Sequence, residues 1–253
     1  MIPDTNTASF SAAITFQEGN STLQQKAKQL SISLGLPLIL ETDSNRYDIL
    51  LHFTPQGLEL QNQQTISGRL HVDFLASSMT YRQHHGGGSK EPLARAVGIK
   101  PNVRPSILDA TAGLGVDSFL LAGLGCDVRM IERSPFLAAL LEDALDRAGV
   151  NNPVLLRGEA INLIAKLENK ADTIYLDPMY PHRTKSALNK QEMRIIRELV
   201  GEDKDADKVF LAAIKHAVKR VVVKRPKGAP LLDKLKPSHI IKMKNSRFDV
   251  YMV

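Results

Sequence analysis

A strand, a glycine turn, a helix and a second strand follow one another in residues 107–132, which read ILDATAGLGVDSFLLAGLGCDVRMIE. The apolar segment 106–109 ends in Asp109, and the apolar segment 127–132 ends in Glu132. Gly113 and Gly115 occupy the bend before a helix predicted at 116–124. Because parallel strands need a crossover of this length, the stretch predicts two neighbouring parallel strands.

The same alternation continues toward the C-terminus. It predicts strands at 154–159, 172–177 and 220–224, and helices at 135–148, 161–168 and 208–218. Two more strand candidates, 239–243 and 247–252, can pair as an antiparallel hairpin. Repeated β-α-β units indicate an α/β, Rossmann-like fold with a mostly parallel, doubly wound sheet and helices on both faces.

The first 75 or so residues have a different pattern. Segment 21–30 predicts a short helix capped by its Ser or Thr, and strands at 47–53 and 58–60 flank a turn with Pro55 and Gly57. These features predict a small N-terminal α+β lobe at 1–75, followed by the larger domain at 76–253. Between them, three glycines at 86–88 precede a short helix predicted at 91–98.

The composition is that of an ordinary globular chain. Its 253 residues are 43% hydrophobic and 24% charged, which excludes collagen, coiled coils and wholesale disorder. Cys126 is the lone cysteine and cannot form an internal disulfide, which favours a reducing compartment. No apolar run approaches the roughly 18 residues of a membrane span, and the first cation is Lys26, late for a signal peptide. We therefore expect a cytoplasmic protein without a membrane partner.

The charge is concentrated at the C-terminal end. The net charge is +6, and residues 211–253 carry 11 basic and 2 acidic groups, whereas residues 1–60 carry 3 and 6. Clustered cations attract polyanions, which favours a nucleic acid partner. A solubilising surface explains the charge about as well.

The glycine turn and the acid after the second strand predict an adenosine site. In an open parallel sheet, ligands bind beyond the carboxyl ends of the strands. The turn lets a ligand approach the backbone, and the carboxylate of Glu132 can accept from two ribose hydroxyls. Glu159 follows the third strand and could accept from an adenine amino group. The turn residues predicted to contact the cofactor are Asp109, Ala110, Gly113 and Gly115.

The fourth strand ends in Asp177-Pro178-Met179-Tyr180-Pro181. Two prolines make the segment rigid, and the Asp177 carboxylate and Pro178 carbonyl are adjacent acceptors for the two protons of an exocyclic amine. Tyr180 could stack on the heterocycle that carries the amine. The alternative is a proline turn with Tyr180 packed into the core.

These motifs together resemble a class I S-adenosylmethionine-dependent methyltransferase of the amino-methylating kind. With the stretch 109–115, the segment 177–188, the sequence 221–226 and the ending 247–251, the chain closely resembles the ribosomal RNA small subunit methyltransferase J family. The resemblance covers about residues 45–252. Met179 stands where amino-methylating enzymes usually have a second proline.

The resemblance implies what the chain binds and what it does. It implies S-adenosylmethionine as cofactor, 16S rRNA or the small ribosomal subunit as partner, and methylation of N2 of a guanosine near the 3′ end of that RNA. Family cofactor contacts map onto Val116, Asp117, Glu132, Arg133, Glu159, Ala160 and Asp177. The family has Arg where Val116 stands and a Ser pair where Glu159 and Ala160 stand.

The catalytic residues are predicted to be Asp177, Pro178 and Tyr180, which would hold the guanine amine against the methyl donor. Cations that follow the fourth and fifth strands would rim the pocket and contact RNA phosphates. They are His182, Arg183, Lys185, Lys224 and Arg225.

Other classes of function fit the sequence less well. The dinucleotide-binding motif of a nicotinamide oxidoreductase has a third glycine at the position of Ser118. A non-catalytic RNA-binding module has no use for the glycine turn, and an amino-methylating enzyme acting on DNA or a protein amide is the closest rival. His84 and His85 lack further ligands at metal-binding spacing, so no metal is expected.

Overall fold

The computed structural model describes residues 10–63, 68–77, 88–179, 195–196 and 203–253. Backbone proximity divides the chain into two compact units. The first gathers the described residues of Met1–Asp73, Pro135–Arg147 and Met179–Glu202, and the second gathers those of Phe74–Ser134, Ala148–Pro178 and Asp203–Val253. The domain division at residue 75 stays a prediction, since the first unit also includes segments from later in the chain.

The described helices and strands are numbered in chain order. Helices α1 to α6 span Ser21–Leu34, Pro92–Val97, Val116–Gly123, Pro135–Ala148, Ala160–Lys166 and Ala206–His216. Strands β1 to β11 span Ala12–Phe16, Ile49–Thr54, Gly57–Asn62, Gly68–His71, Ile107–Asp109, Val128–Glu132, Val154–Arg157, Thr173–Leu176, Arg220–Pro226, His239–Lys242 and Ser246–Met252. Within the described ranges, no helix is both long and apolar enough to cross a membrane.

The first unit contains a sheet in the order β1-β2-β3-β4, in which β1 runs parallel to β2 and the other neighbours are antiparallel. The buried Asp143 of α4 accepts a 2.9 Å hydrogen bond from the Leu58 backbone N–H and a 2.8 Å bond from Arg147 Nε. A Cβ on Gly57 would lie 2.7 Å from Asp143 Oδ2, and the Gly57 φ is +130°. This position therefore requires glycine.

The second unit contains a sheet with the strand order β10-β11-β9-β8-β5-β6-β7 among its described strands. Strands β5 to β9 are parallel, and β11 is antiparallel to both β9 and β10. The chain proceeds from β5 through β6 to β7 on one side and from β8 to β9 on the other, so the strand order reverses between β5 and β8. The predicted Rossmann-like fold and its antiparallel C-terminal hairpin are confirmed.

The core of this unit lies on both faces of the sheet. Leu108, Ile174 and Val221 pack with α5 and α6 residues on one face. Their chain neighbours Ile107, Tyr175 and Val222 pack with α2 and α3 residues on the other. Since successive side chains of a strand point to opposite faces, strands buried on both sides read as continuous apolar runs.

The predicted cap of α1 was wrong. Asn20, and not Ser21 or Thr22, is the N-cap, and its side-chain oxygen accepts from the backbone N–H groups of Thr22 at 3.1 Å and Leu23 at 3.2 Å. Asparagine is among the strongest N-cap residues because its short side chain reaches these donors.

We expect Asn20→Ala to lower the free energy of unfolding by about 1 kcal/mol, since it removes the acceptor of two otherwise unbonded helix N–H groups. Urea titration followed by circular dichroism measures the change. Thr22→Ala is the control and should cost only a few tenths of a kcal/mol. A larger loss for Thr22→Ala than for Asn20→Ala would restore the threonine cap.

Candidate active site

The carboxyl ends of four parallel strands bring the predicted site residues to one edge of the sheet. Strand β5 ends at Asp109, β6 ends at Glu132, β7 precedes Glu159, and β8 precedes Asp177. The order β8-β5-β6-β7 makes these ends neighbours in space. The edge therefore collects carboxylates at the point where strand order reverses, which is where open α/β sheets bind ligands.

The glycine turn lies between β5 and α3. Gly113 has φ +55° and Gly115 has φ +70°, and Gly115 is the N-cap residue of α3. Both values fall in the left-handed region that glycine adopts readily. The turn is closed by a 2.8 Å hydrogen bond from the Gly115 N–H to the Ala112 carbonyl. The backbone of the turn therefore lies at the N-terminus of α3, and Gly113 and Gly115 add no side chain of their own over it.

Glu132 joins the glycine turn to the end of β6. Its Oε2 accepts a 2.9 Å bond from the Gly113 N–H, and its Oε1 accepts a 2.7 Å bond from the Ser134 N–H. The residue is only 6% exposed. Burial raises the pKa of its carboxyl to about 7, although the two backbone bonds act in the opposite direction. Each carboxylate oxygen has a second lone pair, so two hydroxyl donors can still be accommodated.

Asp109 connects the glycine turn, helix α3 and, through Thr111, the residue that follows β8. It accepts from the Thr111 N–H at 3.0 Å and from the Ser118 hydroxyl at 2.7 Å. Thr111 Oγ1 in turn accepts a 2.6 Å bond from the Asp177 N–H. Burial raises the pKa of Asp109 to about 7, against these hydrogen bonds. Ser118, which stands where a dinucleotide fold has its third glycine, therefore has a structural partner here.

Asp177 is part of a charged cluster with Lys224, Asp117 and Tyr175. Lys224 Nζ lies 2.7 Å from Asp177 Oδ2 and 3.0 Å from Asp117 Oδ2, and the buried Tyr175 hydroxyl donates to Asp117 Oδ2 at 2.7 Å. Burial alone would lower the pKa of Lys224, but attraction to the two carboxylates raises it above its ordinary value. The Asp177 side chain is 39% exposed, so a ligand can reach it.

Arg133 contacts three carboxylates, which belong to two other segments of the chain. It pairs with Asp203, with Asp205 at 3.1 Å and with Glu159 at 3.9 Å. Burial lowers the pKa of Arg133, but these carboxylates outweigh it and raise the value. The side chain thereby joins the end of β6, the segment after β7 and the residues before α6 around the site.

The remaining predicted residues differ in their placement. Ala110, Pro178 and Ala160 are buried, and Val116 is half-buried at the first turn of α3. The buried Arg225 donates to the Pro230 carbonyl, so an RNA phosphate would reach it only if residues 226–230 moved. Four of the predicted residues lie outside the described ranges: Tyr180, His182, Arg183 and Lys185. So do His84 and His85, for which no metal was expected. In the part of the chain that the structure describes, no group of three or more His, Cys, Asp or Glu side chains could hold a metal ion.

Sequence reasoning missed three residues that build the site: Thr111, Ser118 and Tyr175. An aspartate often accepts a hydrogen bond from the backbone N–H two residues later, and this signal could have predicted the contact between Asp109 and the Thr111 N–H. Nothing local connects Tyr175 to Asp117, since their pairing depends on a 58-residue separation closed by the sheet.

Comparison with known proteins gives consistent results. A family model described as "Putative SAM-dependent methyltransferase" matches residues 35–253. A ribosomal RNA small subunit methyltransferase J from Pseudomonas syringae pv. syringae is 48% identical over 238 residues, covering 90% of this chain and 87% of that protein. One of the same name from Desulfotalea psychrophila is 46% identical over 239 residues, covering 90% and 91%.

A solved structure is similar over nearly the whole chain. The crystal structure of a SAM-dependent methyltransferase from Neisseria gonorrhoeae aligns with a TM-score of 0.71 and 31% identity, covering 95% of each chain.

Proposed function

The chain belongs to the family of SAM-dependent methyltransferases, and from this premise we propose that it methylates the exocyclic N2 of a guanosine near the 3′ end of 16S rRNA. The observation that carries the proposal is Asp177, an accessible carboxylate beyond β8 and beside the glycine turn. Relatives named ribosomal RNA small subunit methyltransferase J support RNA as the substrate.

The residues at this edge fit S-adenosylmethionine. The two glycines leave space for a ligand against the backbone, and Glu132 has lone pairs for both ribose hydroxyls. Asp109, Asp117 and Asp177 make the surroundings acidic, which suits a ligand with a positively charged sulfonium and an ammonium group. We assign the ribose to Glu132 and the adenine to the neighbourhood of Glu159 and Ala160.

When bound, S-adenosylmethionine supplies a methyl group activated by the charge of its sulfonium. The guanine N2 attacks this carbon, the new N–C bond forms as the C–S bond breaks, and the electron pair of that bond stays on sulfur. Asp177 accepts from the amine, orients its lone pair and stabilises the positive charge that develops on nitrogen. The Pro178 carbonyl is the second acceptor and Tyr180 the stacking partner, and the extra proton passes to water.

An exposed basic surface at the same edge of the sheet can dock the RNA. Strand β10 runs parallel to β9, so the carboxyl ends of both lie at the edge that carries Asp177. Lys242 and Lys244 are exposed there, and Lys227 is exposed beside them, with its N–H bonded to the Asn245 carbonyl at 3.2 Å. Phosphate contacts by lysines position RNA without reading its sequence.

We expect Lys242→Gln/Lys244→Gln to raise KM for rRNA by about fivefold to tenfold and to lower the slope of log Kd against log salt by about 1 to 2, because two phosphate contacts are lost. Filter binding at several salt concentrations and steady-state kinetics measure both effects.

The matched control is Lys215→Gln/Lys236→Gln, which removes the same charge from the other end of the sheet. Lys215 lies in the last turn of α6, and Lys236 adjoins Leu235, whose carbonyl is near the Tyr251 hydroxyl. Equal effects of the two double variants would mean that only the net charge matters.

Methyl transfer to unmodified 16S rRNA and 30S particles tests the proposal directly. With a labelled methyl donor, we expect the label in the 3′ segment of the RNA, as N2-methylguanosine by mass mapping. Label on another base position, or label only on DNA or on a protein amide, would refute the proposed substrate and leave the family assignment intact.

A further inference from the structure

Lys224 was predicted to contact RNA phosphates, but its contacts indicate a different role. We propose that Lys224 is a positioning residue, whose ammonium clamps Asp177 against Asp117 and so fixes the direction in which the Asp177 carboxylate meets the target amine. The inference rests on the proposed function, because it assigns Asp177 to the amine.

The register of the sheet brings Lys224 to Asp177. Strands β8 and β9 are parallel, and Leu176 pairs with Val223. Asp177 follows Leu176 directly after β8, and Lys224 follows Val223 within β9, so the two residues are neighbours at the edge of the sheet. The Nζ–Oδ2 distance of 2.7 Å is that of a charge-assisted hydrogen bond.

Asp117 and Tyr175 anchor the other side of the clamp. Asp117 lies in the first turn of α3 with its side chain 16% exposed, and its Oδ2 receives both Lys224 Nζ and the Tyr175 hydroxyl. Tyr175 is 1% exposed and packs in the core. A chain of contacts therefore runs from a rigid core residue to the carboxylate that faces the substrate.

The charges at this edge require a cation. Asp109 is close enough to Asp117 and Asp177 that both of their charges raise its pKa, after the larger effect of burial. Among the described residues, Lys224 pairs with both Asp117 and Asp177. An RNA phosphate would compete with two carboxylates for this ammonium, whereas Lys227, Lys242 and Lys244 are exposed at the same edge.

Kinetics of Lys224→Met, Lys224→Arg and the control Lys215→Met distinguish positioning from phosphate binding. For Lys224→Met we expect kcat to fall about 10- to 100-fold, the loss that a misplaced reacting group produces, with KM for rRNA and the salt slope of RNA binding unchanged. Lys224→Arg should recover at least about half of that loss on a logarithmic scale, since it keeps the charge. Lys215→Met removes an exposed ammonium from the last turn of α6 and should leave kcat unchanged.

The pH profile adds a readout that a purely structural role would not change. Within the described residues, the charged and titratable groups recorded against Asp177 are Lys224 from β9, Asp117 from α3, Asp109 from β5 and Tyr175 from β8. Without the lysine, the two neighbouring carboxylates favour sharing a proton. The kcat of Lys224→Met should therefore rise with pH between about 6 and 8, whereas we expect the wild-type kcat to change less over this range.

Three outcomes would overturn the inference. They are an unchanged kcat with a raised KM and a smaller salt slope, a loss of kcat that is equal at every pH, and a loss that Lys224→Arg does not reduce. Thermal melts by circular dichroism establish that each variant is folded.

A measurement without substrate separates this inference from the proposed function. In protein labelled with ¹⁵N-lysine, NMR should detect a Lys224 ammonium group whose protons are protected from hydrogen exchange in the wild type. We expect this protection to be lost in Asp177→Asn. Absence of that protected ammonium overturns the clamp whatever the substrate is. Its presence in a protein that does not methylate rRNA would refute the proposed substrate and leave the clamp in place.

Discussion

Replacing Asp177 by alanine is expected to lower kcat for rRNA methylation about 10³-fold, which corresponds to about 4 kcal/mol of transition-state stabilisation. The carboxylate is the accessible acceptor at the end of β8, and it is the group placed to stabilise the charge that develops on the amine. Single-turnover transfer of a labelled methyl group to unmodified 16S rRNA measures the loss. Asp177→Asn keeps the size and one acceptor, and should lose only about 10- to 100-fold.

The fold should survive both substitutions, because the link between Asp177 and Thr111 uses the Asp177 backbone N–H. Asp172→Ala is a matched control, because Asp172 directly precedes β8 whereas Asp177 directly follows it. Its carboxylate pairs with Lys219 at 2.9 Å and lies away from the glycine turn. We expect Asp172→Ala to retain wild-type kcat, and an Asp177→Ala enzyme within tenfold of wild type would refute the assignment of Asp177 to the amine.

The second unit could be predicted well because its signals are local. Each strand from β5 to β9 is a short apolar run ended by a charged or polar residue, and each crossover contains a recognisable helix. Strands β5, β6 and β8 are buried on both faces, which makes them continuous in hydrophobicity, and the crossovers fix their parallel direction. The strand bounds therefore differ from the predicted ones by only one or two residues.

The first unit was harder to predict because its strands depend on distant partners. Strand β1 forms by pairing with β2, 37 residues later in sequence. Strand β4 has the short sequence Gly68–His71 and is stabilised by pairing with β3. Neither segment has the length or the alternation that marks a strand by itself. Both segments form strands because they pair with β2 and β3 in the folded sheet.

The candidate site divides in the same way. The spacing of residues in the sequence predicted the glycine turn with Gly113 and Gly115 and the acidic residues at the strand ends. The pairing of side chains was not, because Lys224 reads as one more cation after a strand until the register of β8 and β9 sets it beside Asp177. Contacts between side chains depend on register, and register follows from the assembled sheet.

Glu132→Ala is expected to raise the Kd for S-adenosylhomocysteine about 100-fold, or about 3 kcal/mol, because two ribose hydroxyls lose a charged acceptor. Isothermal titration calorimetry measures this directly. Glu132→Gln is the conservative variant, since it keeps one oxygen for the turn and should cost about tenfold. Glu168→Ala, an exposed carboxylate between α5 and β8, should leave the Kd unchanged. An unchanged Kd in Glu132→Ala would count against ribose binding at this residue.

The pH dependence of that affinity tests the same contact by a second route. Burial raises the pKa of Glu132 to about 7, so the carboxyl is mostly protonated below pH 7 and offers fewer acceptor sites there. The ribose hydroxyls of the ligand donate to the ionised carboxylate, so the ligand binds this form more tightly than the protonated one. The wild-type Kd should therefore fall by about fivefold to tenfold as pH rises from 6 to 8. Arg133 and Asp203 act on Glu132 in opposite directions, and both remain in Glu132→Gln. That variant should lose most of the pH dependence. Asp109, whose pKa burial also raises to about 7, is a second source of pH dependence in the site.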